Sequence, residues 1–288
     1  MSARPALSIV IPCYEQAGFL PAALESALLP APVPVEIVVV DDGSTENVAD
    51  VVRRHAPAAR CIRQENQGLA AARNTGLAAS EGALVVFLDA DDRLLLGGIA
   101  AGIACLSAHP GCGFVFGGYT NVDAAGRTVR PPVVPRPGLV SYAALLRRNL
   151  VGMHGAVLYR REAILAAGGF DAALRSCEDH DLYLRLARRA PVHAHASLVA
   201  EYRRHAGGLS ARPIQMIDTG LEVLRRQRPF LDTAALWQAY RAGIRFTLAK
   251  HGYHLGRRVL AQAARGEWRG PTAEIGALAR KVPYWLSL

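Results

Sequence analysis

The apolar run Val85-Val86-Phe87-Leu88 ends abruptly in Asp89-Ala90-Asp91-Asp92. Side chains two apart in an extended chain share a face, so Asp89 and Asp91 would present hard oxygen ligands together at a strand's carboxyl end. Open α/β sheets bind their ligands at that place, and the chemistry suits a divalent cation shared with phosphate oxygens. Aspartate is also common in solvated turns, so the spacing alone leaves both readings open. A second strand-like run, residues 35–40, ends in Asp41-Asp42-Gly43-Ser44-Thr45. Gly43 permits a tight turn and Ser44 or Thr45 can cap the next helix, yet two consecutive aspartates exceed what a cap requires. A third run, residues 7–12, leads into Cys13-Tyr14-Glu15. Side by side, the three ends would offer an aromatic ring, acceptor carboxylates and a metal site, which together suit a base, a ribose and a diphosphate.

The elements that must position these residues are legible in the hydropathy pattern. Residues 7–12, 35–40 and 83–88 read as strands buried on both faces, because their apolar residues run on rather than alternate. Residues 17–29, 45–55 and 69–80 between them read as helices. This β-α-β-α order predicts a mainly parallel sheet with helices on both faces. Residues 113–117, 156–159 and 192–200 read as shorter strands, 130–138 as a Pro-rich loop and 178–190 as a helix. The chain carries no internal repeat and no low-complexity segment.

With 288 residues, 51% of them hydrophobic, the chain can build one large core or a core with an appendage. No run of about 18–20 apolar residues is present and no signal-peptide pattern follows Met1, so a cytoplasmic location is expected. Cysteines at 13, 61, 105, 112 and 177 form no closely spaced zinc-type pair and read as buried free thiols. His193 and His195 alternate on one strand face, and with no carboxylate or cysteine near them in sequence they read as structural. The net charge of +9 is concentrated late: residues 211–288 hold 13 Lys+Arg against 5 Asp+Glu, whereas residues 1–210 hold 20 against 19. This shift predicts a first domain of residues 1–210 and a basic helical region of 211–288, with helices near 216–228 and 234–250. Arginines there are interleaved with Trp237, Tyr240 and Trp268. Such a pattern serves either a packed appendage with a solvated basic face or attachment to an anionic membrane surface.

Read in order, five segments resemble the signature of family 2 glycosyltransferases. They are Ile9-Val10-Ile11-Pro12-Cys13-Tyr14-Glu15, Val38-Val39-Val40-Asp41-Asp42-Gly43-Ser44-Thr45, Asn66-Gln67-Gly68 with Ala72-Arg73-Asn74-Thr75-Gly76, Phe87-Leu88-Asp89-Ala90-Asp91-Asp92, and Gly168-Gly169-Phe170-Asp171 followed by Glu178-Asp179-His180-Asp181-Leu182. The resemblance covers about residues 7–210 and implies a GT-A fold, a Rossmann-like sheet extended here by a C-terminal helical appendage. It also implies inverting transfer of a sugar from a nucleotide donor, UDP-linked by first expectation, to a saccharide or lipid-linked hydroxyl acceptor in envelope or surface glycan synthesis.

By the same resemblance, Pro12 and Tyr14 line the nucleobase, while Glu15, Asp41 and Asp42 offer acceptors to base or ribose, Asp42 to a uracil ring nitrogen. Arg73 lies near base and diphosphate, Asp89 holds ribose or metal, and Asp91 ligates Mg²⁺ or Mn²⁺. A divalent cation neutralises the diphosphate leaving group without a proton donor. The acceptor hydroxyl then needs a base on the opposite face. Asp179, in the first turn of a helix whose dipole favours its ionised form, is the candidate, with Glu178 and His180 at the acceptor. His180 departs from the aromatic residue common there in the family. Tyr202-Arg203-Arg204-His205 followed by Ser210 also resembles a family element, in which His205 completes the metal shell and the arginines bind diphosphate.

Three other classes fit less well. A sugar-nucleotide nucleotidyltransferase would need a basic triphosphate loop, and residues 13–18 contain none. A nucleic-acid binder would account for the basic tail, but no nucleic-acid motif accompanies it. A dehydrogenase-like Rossmann domain would carry G-x-G-x-x-G after its first strand, which is missing here.

Overall fold

The computed structural model describes residues 5–205, 212–264 and 276. They belong to two compact units, one drawn from residues 1–142 and 150–205, the other from 143–149 and 206–288. The expected boundary at 210/211, Ser210 and Trp268 lie outside the described residues.

The first unit is built on a ten-stranded sheet. In chain order its elements begin β1 (Leu7–Cys13), α1 (Leu20–Ala27), β2 (Val35–Asp41), α2 (Val48–His55), β3 (Arg60–Arg63), α3 (Leu69–Ala79) and β4 (Leu84–Phe87). There follow β5 (Arg93–Leu94), α4 (Gly98–Ala108), β6 (Phe114–Val122), β7 (Thr128–Val133), β8 (Gly138–Val140) and α5 (Tyr142–Arg147), whose residues from Ala143 belong to the second unit. The first unit closes with β9 (Val157–Arg160), α6 (Arg161–Ala166), α7 (Glu178–Ala187) and β10 (Val192–Arg203). The strand order is β3-β2-β1-β4-β9-β6-β10-β5, with β7 on β6 and β8 on β10.

Every residue of β1 is buried, which explains its continuous apolar run: it is central, covered on both faces. Leu7, Ile9 and Ile11 pack with residues of α1, α2 and α4, while Val38, Val40 and Ala72 form a separate cluster on the other face, under α3. The helix α3 comes close because it is made of small residues. A Cβ on Gly76 would stand 2.2 Å from Val10 Cγ1 and 3.3 Å from Val40 Cγ2.

Pairing is parallel through β3, β2, β1 and β4, as the β-α-β-α reading predicts. Beyond β4 the sheet becomes mixed: β9 runs antiparallel to β4 and β6, β6 and β10 are parallel, and β5, β7 and β8 pair antiparallel. The Pro-rich segment 130–138 corrects one expectation. It contributes β7, whose six residues are all exposed, and a sheet tolerates Pro131 and Pro132 because they lie in an edge strand rather than a central one. Strand β3 and helix α4 have no counterpart in the sequence reading. Ser44 and Thr45 do not cap α2; Asn47 does, its side chain accepting from Asp50 N at 3.2 Å.

The second unit contains α8 (Pro213–Arg225) and a single 31-residue α9 (Ala234–Ala264). Ile217 and Leu221 of α8 are buried against Ile244 and Leu248 of α9. Gly243 allows α9 to approach the Leu146 carbonyl, where a Cβ would lie 2.2 Å from the oxygen. No described helix is long and apolar enough to cross a membrane.

Candidate active site

Successive strands are added to opposite sides of β1, first β2 and later β4. A crevice therefore opens at the carboxyl ends of β1 and β4, the switch point where open α/β sheets bind ligands. The loops after β1 and β2 are latched to each other there. Asp42 N donates to Cys13 O at 2.9 Å and Glu15 N to Ser44 Oγ at 3.1 Å. The Glu15 carboxylate accepts from Thr45 N at 2.8 Å and Thr45 Oγ1 at 3.0 Å. Glu15 adopts a left-handed φ of 51° to make this exchange.

Asp41 and Asp42 are both buried, and each organises a loop. Asp41 accepts from Ser44 N at 2.9 Å and Arg63 Nη1 at 2.6 Å. Asp42 accepts from Gln64 Nε2, Gln67 N and Gly68 N at 2.8, 3.0 and 2.8 Å. Gly43 is required between this turn and the next loop, since it has φ 81° and a Cβ there would lie 2.8 Å from Asn66 N. Pro12 is buried within β1 opposite Val40, whereas the Tyr14 ring is half exposed beside the crevice mouth of β1.

Strand alternation does not govern Asp89 and Asp91, contrary to expectation. The strand β4 ends at Phe87, and Asp92 N bonds to Asp89 O at 3.0 Å, closing a turn. The two carboxylates remain electrostatic neighbours: burial first, and then the charge of Asp89, raise the Asp91 carboxyl above its ordinary range. Asp91 Oδ2 lies 2.8 Å from His205 Nε2 and accepts from Gln16 Nε2 at 3.3 Å. Both partners keep an open side, 12% exposed for the Asp91 side chain and 15% for His205. One carboxylate oxygen and one imidazole nitrogen at this separation suit Mg²⁺ or Mn²⁺, with the remaining positions left to phosphate and water. Asp92 turns inward and fastens the turn to β10, accepting from Arg203 N at 2.8 Å. Arg203 Nε also donates to Asp91 O at 2.7 Å. Phe19 packs on both, its ring centroid 5.1 Å from that of His205 and 5.4 Å from the Arg203 guanidinium.

Arg73 of α3 links this turn to the acceptor motifs. Its guanidinium, 1% exposed as a residue, donates from Nη2 to Asp89 Oδ1 and from Nη1 to Glu178 Oε1, each at 2.6 Å. Burial opposes its charge, but Asp89 and Glu178 outweigh that cost and hold it firmly protonated. Glu178 is pushed upward by burial against the pull of Arg73. The neighbouring Asn74 exchanges two hydrogen bonds with the Phe170 backbone, both 2.8 Å. Gly169 has φ 71°, and a Cβ on it would stand 2.7 Å from Asn74 Oδ1. From below, Tyr183 of α7 and Tyr159 of β9 bracket buried His154 at 3.1 and 3.4 Å. Burial, with Arg73 nearby, keeps that imidazole neutral.

The sequence-derived residues thus sort into three groups. Asp89, Arg73 and Glu178 form one buried chain; Asp91 and His205 form one pair; Glu15, Asp41 and Asp42 hold the loops under Tyr14. Arg73 spends one N–H of each terminal nitrogen on Asp89 and Glu178, and its buried Nε finds no hydrogen-bond partner among the described residues. Asp179 is half-buried in the first turn of α7 and accepts from His180 N at 2.7 Å; His180 itself is buried. Arg204 donates to Asn121 Oδ1 at 3.0 Å and covers the Tyr202 ring at 4.1 Å. Gln16 and Asn74 were not singled out from sequence. Asn74 lay inside a recognised motif, adjacent to Arg73, whereas Gln16 gave no signal.

Comparison with known proteins agrees with this construction. The family model for glycosyl transferase family 2 matches residues 8–165. An uncharacterized glycosyltransferase of Haemophilus influenzae is 32% identical over 183 residues, 62% of this chain and 61% of its own length. The chain spans only 35% and 34% of two rickettsial relatives. Among solved structures, residues 1–349 of S. aureus TarS in complex with UDP superpose with a TM-score of 0.66 at 18% identity, over 84% of this chain and 72% of that one. The mannosyltransferase PcManGT of Pyrobaculum calidifontis, in complex with GDP-Man and Mn²⁺, gives 0.59 at 20% identity over 98% and 81%. These likenesses establish the GT-A fold, and the family match establishes that the chain is a member of glycosyl transferase family 2.

Proposed function

We propose that this glycosyltransferase is metal-dependent and inverting, that it takes its sugar from a UDP-sugar, and that Asp179 is its general base. The observation that carries this reading is the Arg73 bridge, which fastens the donor-side turn at Asp89 to Glu178, the residue preceding Asp179. The carboxylate that would accept a proton is thereby fixed relative to the turn that would face the diphosphate.

The residues then have these tasks. Tyr14 offers its exposed ring to the base. Asp42 has three of roughly four carboxylate lone-pair positions filled by its loop, which leaves one for a ring N–H. Asp89 faces the ribose with the oxygen that Arg73 does not use. Asp91 and His205 would hold Mg²⁺ or Mn²⁺, which supplies neutralisation of charge developing on the leaving diphosphate. The acceptor hydroxyl oxygen forms a bond to the anomeric carbon as the bond from that carbon to the diphosphate breaks. Asp179 takes the hydroxyl proton and the nucleoside diphosphate leaves on the opposite face, so configuration inverts. Support for a nucleotide donor comes from TarS, solved with UDP and with UDP-GlcNAc, and from the mannosyltransferase solved with GDP-Man and Mn²⁺.

We further read the second unit as the site of peripheral attachment to an anionic membrane at its inner face, in keeping with a lipid-linked or envelope glycan acceptor. Helix α9 exposes Arg241, Arg245 and Lys250 together with Phe246 and Tyr253, the pairing of basic and aromatic residues that favours an interface. Sedimentation with anionic vesicles at low salt tests this; protein left in the supernatant would refute it.

The donor assignment is tested by thermal stabilisation with UDP, GDP, dTDP and CDP, each with and without Mn²⁺. A Mn²⁺-dependent rise with UDP is expected. A rise with GDP alone would replace the donor class, and release of pyrophosphate instead of nucleoside diphosphate during turnover would replace the reaction.

A further inference from the structure

A second cluster of ligating side chains lies away from the crevice, at the other end of β10. Cys105 and His109 stand one helical turn apart at the C-terminal end of α4, so their side chains share a face. His193, the second residue of β10, meets them there. Cys105 Sγ lies 3.6 Å from His193 Nδ1 and 4.0 Å from His109 Nδ1, and the two imidazoles stack with centroids 3.7 Å apart. The ligand atoms of all three lie within 4.8 Å of one another.

These separations are those of a coordination shell. With Zn–S near 2.3 Å and Zn–N near 2.1 Å, neighbouring ligands on a tetrahedral ion stand about 3.6 Å apart. The donor set, one thiol and two imidazoles, is borderline-soft and distinguishes this cluster from the oxygen-rich crevice. All three residues are half-buried, reachable by an ion yet held by packing. Cys105 packs on the core beneath α4. His109 Nδ1 donates to Cys105 O at 2.9 Å, a bond that coordination through this nitrogen would replace. The carbonyl end of a helix also favours a cation. His195, two residues along β10, keeps a buried Nδ1 with no hydrogen-bond partner among the described residues, which marks the neighbourhood as polar beyond the needs of packing.

We propose that Cys105, His109 and His193 form a transition-metal site of the Zn²⁺ class, with water in the fourth position, that clips the end of α4 to the start of β10. Coordination turns the thiol into a thiolate and releases its proton to solvent. The site is separate from the crevice. His205 follows the last residue of β10 by two positions and His193 is the strand's second residue; β10 bulges against β6, so His193, opposite Val115, and Arg203, opposite Val122, stand roughly 23 Å apart.

The test is titration of the full-length, metal-stripped protein with Co²⁺, read by the thiolate-to-cobalt charge-transfer absorption and by the melting temperature with Zn²⁺. One equivalent of Co²⁺ should produce the band in wild type and in Asp91→Asn, and the band should vanish in Cys105→Ser and weaken strongly in His193→Asn. Zn²⁺ should raise the melting temperature in wild type and Asp91→Asn but not in Cys105→Ser. A wild-type protein without the band overturns the proposal whatever the variants do. So does a band that survives in Cys105→Ser, or a Zn²⁺ shift that disappears in Asp91→Asn.

Discussion

The two sides of the crevice are built in different ways. On the side that the proposed function gives to the donor, parallel strands β3, β2, β1 and β4 deliver their ends to one rim, and neighbouring loops complete one another through bonds that span 30 and 26 residues, Glu15 to Thr45 and Asp42 to Gly68. On the acceptor side the sheet is mixed and the key residues sit on a helix 105 residues beyond Arg73 in sequence. One buried arginine and one partly buried asparagine hold that helix and its preceding loop in place. The first side therefore rests mainly on strand order, whereas the second depends on contacts far apart in sequence, 105 residues for Arg73 to Glu178 and 96 for Asn74 to Phe170, and damage should spread differently from each.

The sharpest separation of the two sides should come from Asp179→Asn. We expect a loss of transfer of about 10²–10⁴-fold with the Mn²⁺-dependent UDP stabilisation intact; wild-type turnover would remove Asp179 as base. Arg73→Met should break the comparison by injuring both sides at once. It leaves Asp89 and Glu178 without their shared cation, a change that costs about 3–5 kcal/mol when one partner of a buried pair is lost, so denaturant unfolding and UDP binding should both suffer. If UDP binding survives undiminished, the donor side does not need the bridge. Gly76→Ala presses a methyl into Val10 and should cost about 1–3 kcal/mol by overpacking. It should lower the melting temperature while leaving the acceptor dependence of the rate unchanged.

The smallest effect tests the far end of the parallel strands. Burial alone would raise the Glu36 carboxyl, but hydrogen bonds from Ser8, Glu81 N and Gly82 N, with Arg60, bring it below its ordinary 4.5. A lowered folded-state value means stability that is present in full above the ordinary value of 4.5 and lost as pH falls through the folded value. Glu36→Gln should therefore cost under about 1 kcal/mol at neutral pH after solvent screening. The difference from wild type should vanish in acid, as urea unfolding at the two pH values would show.

The donor side was legible in the sequence because its chemistry sits where apolar runs stop: Asp41-Asp42 after β2 and Asp89 to Asp92 after β4 come to one rim because their strands flank β1 in parallel. Residues whose role depends on a distant partner were less so. Arg73 stands out within its motif, but only the fold shows that it joins Asp89 to Glu178. The cluster at Cys105, His109 and His193 was hidden for the same reason. His193 has no cysteine within reach in sequence, and Cys105 lies on α4, a helix of small and apolar residues whose weak periodicity went unread. Strand β3 was missed because three of its four residues are exposed, so no apolar run announces it.

The exposed strand β7 carries a further consequence. A strand with its side chains in solvent is a natural template for a second copy of the chain, since any unused backbone groups along its rim invite pairing. Backbone N–H groups of consecutive strand residues point to opposite edges, so of Pro131 and Pro132 one removes a donor from that rim, and Arg130 adds a charge beside them. The chain thus carries a safeguard against strand-to-strand aggregation in the same short segment that the hydropathy pattern reads as a loop.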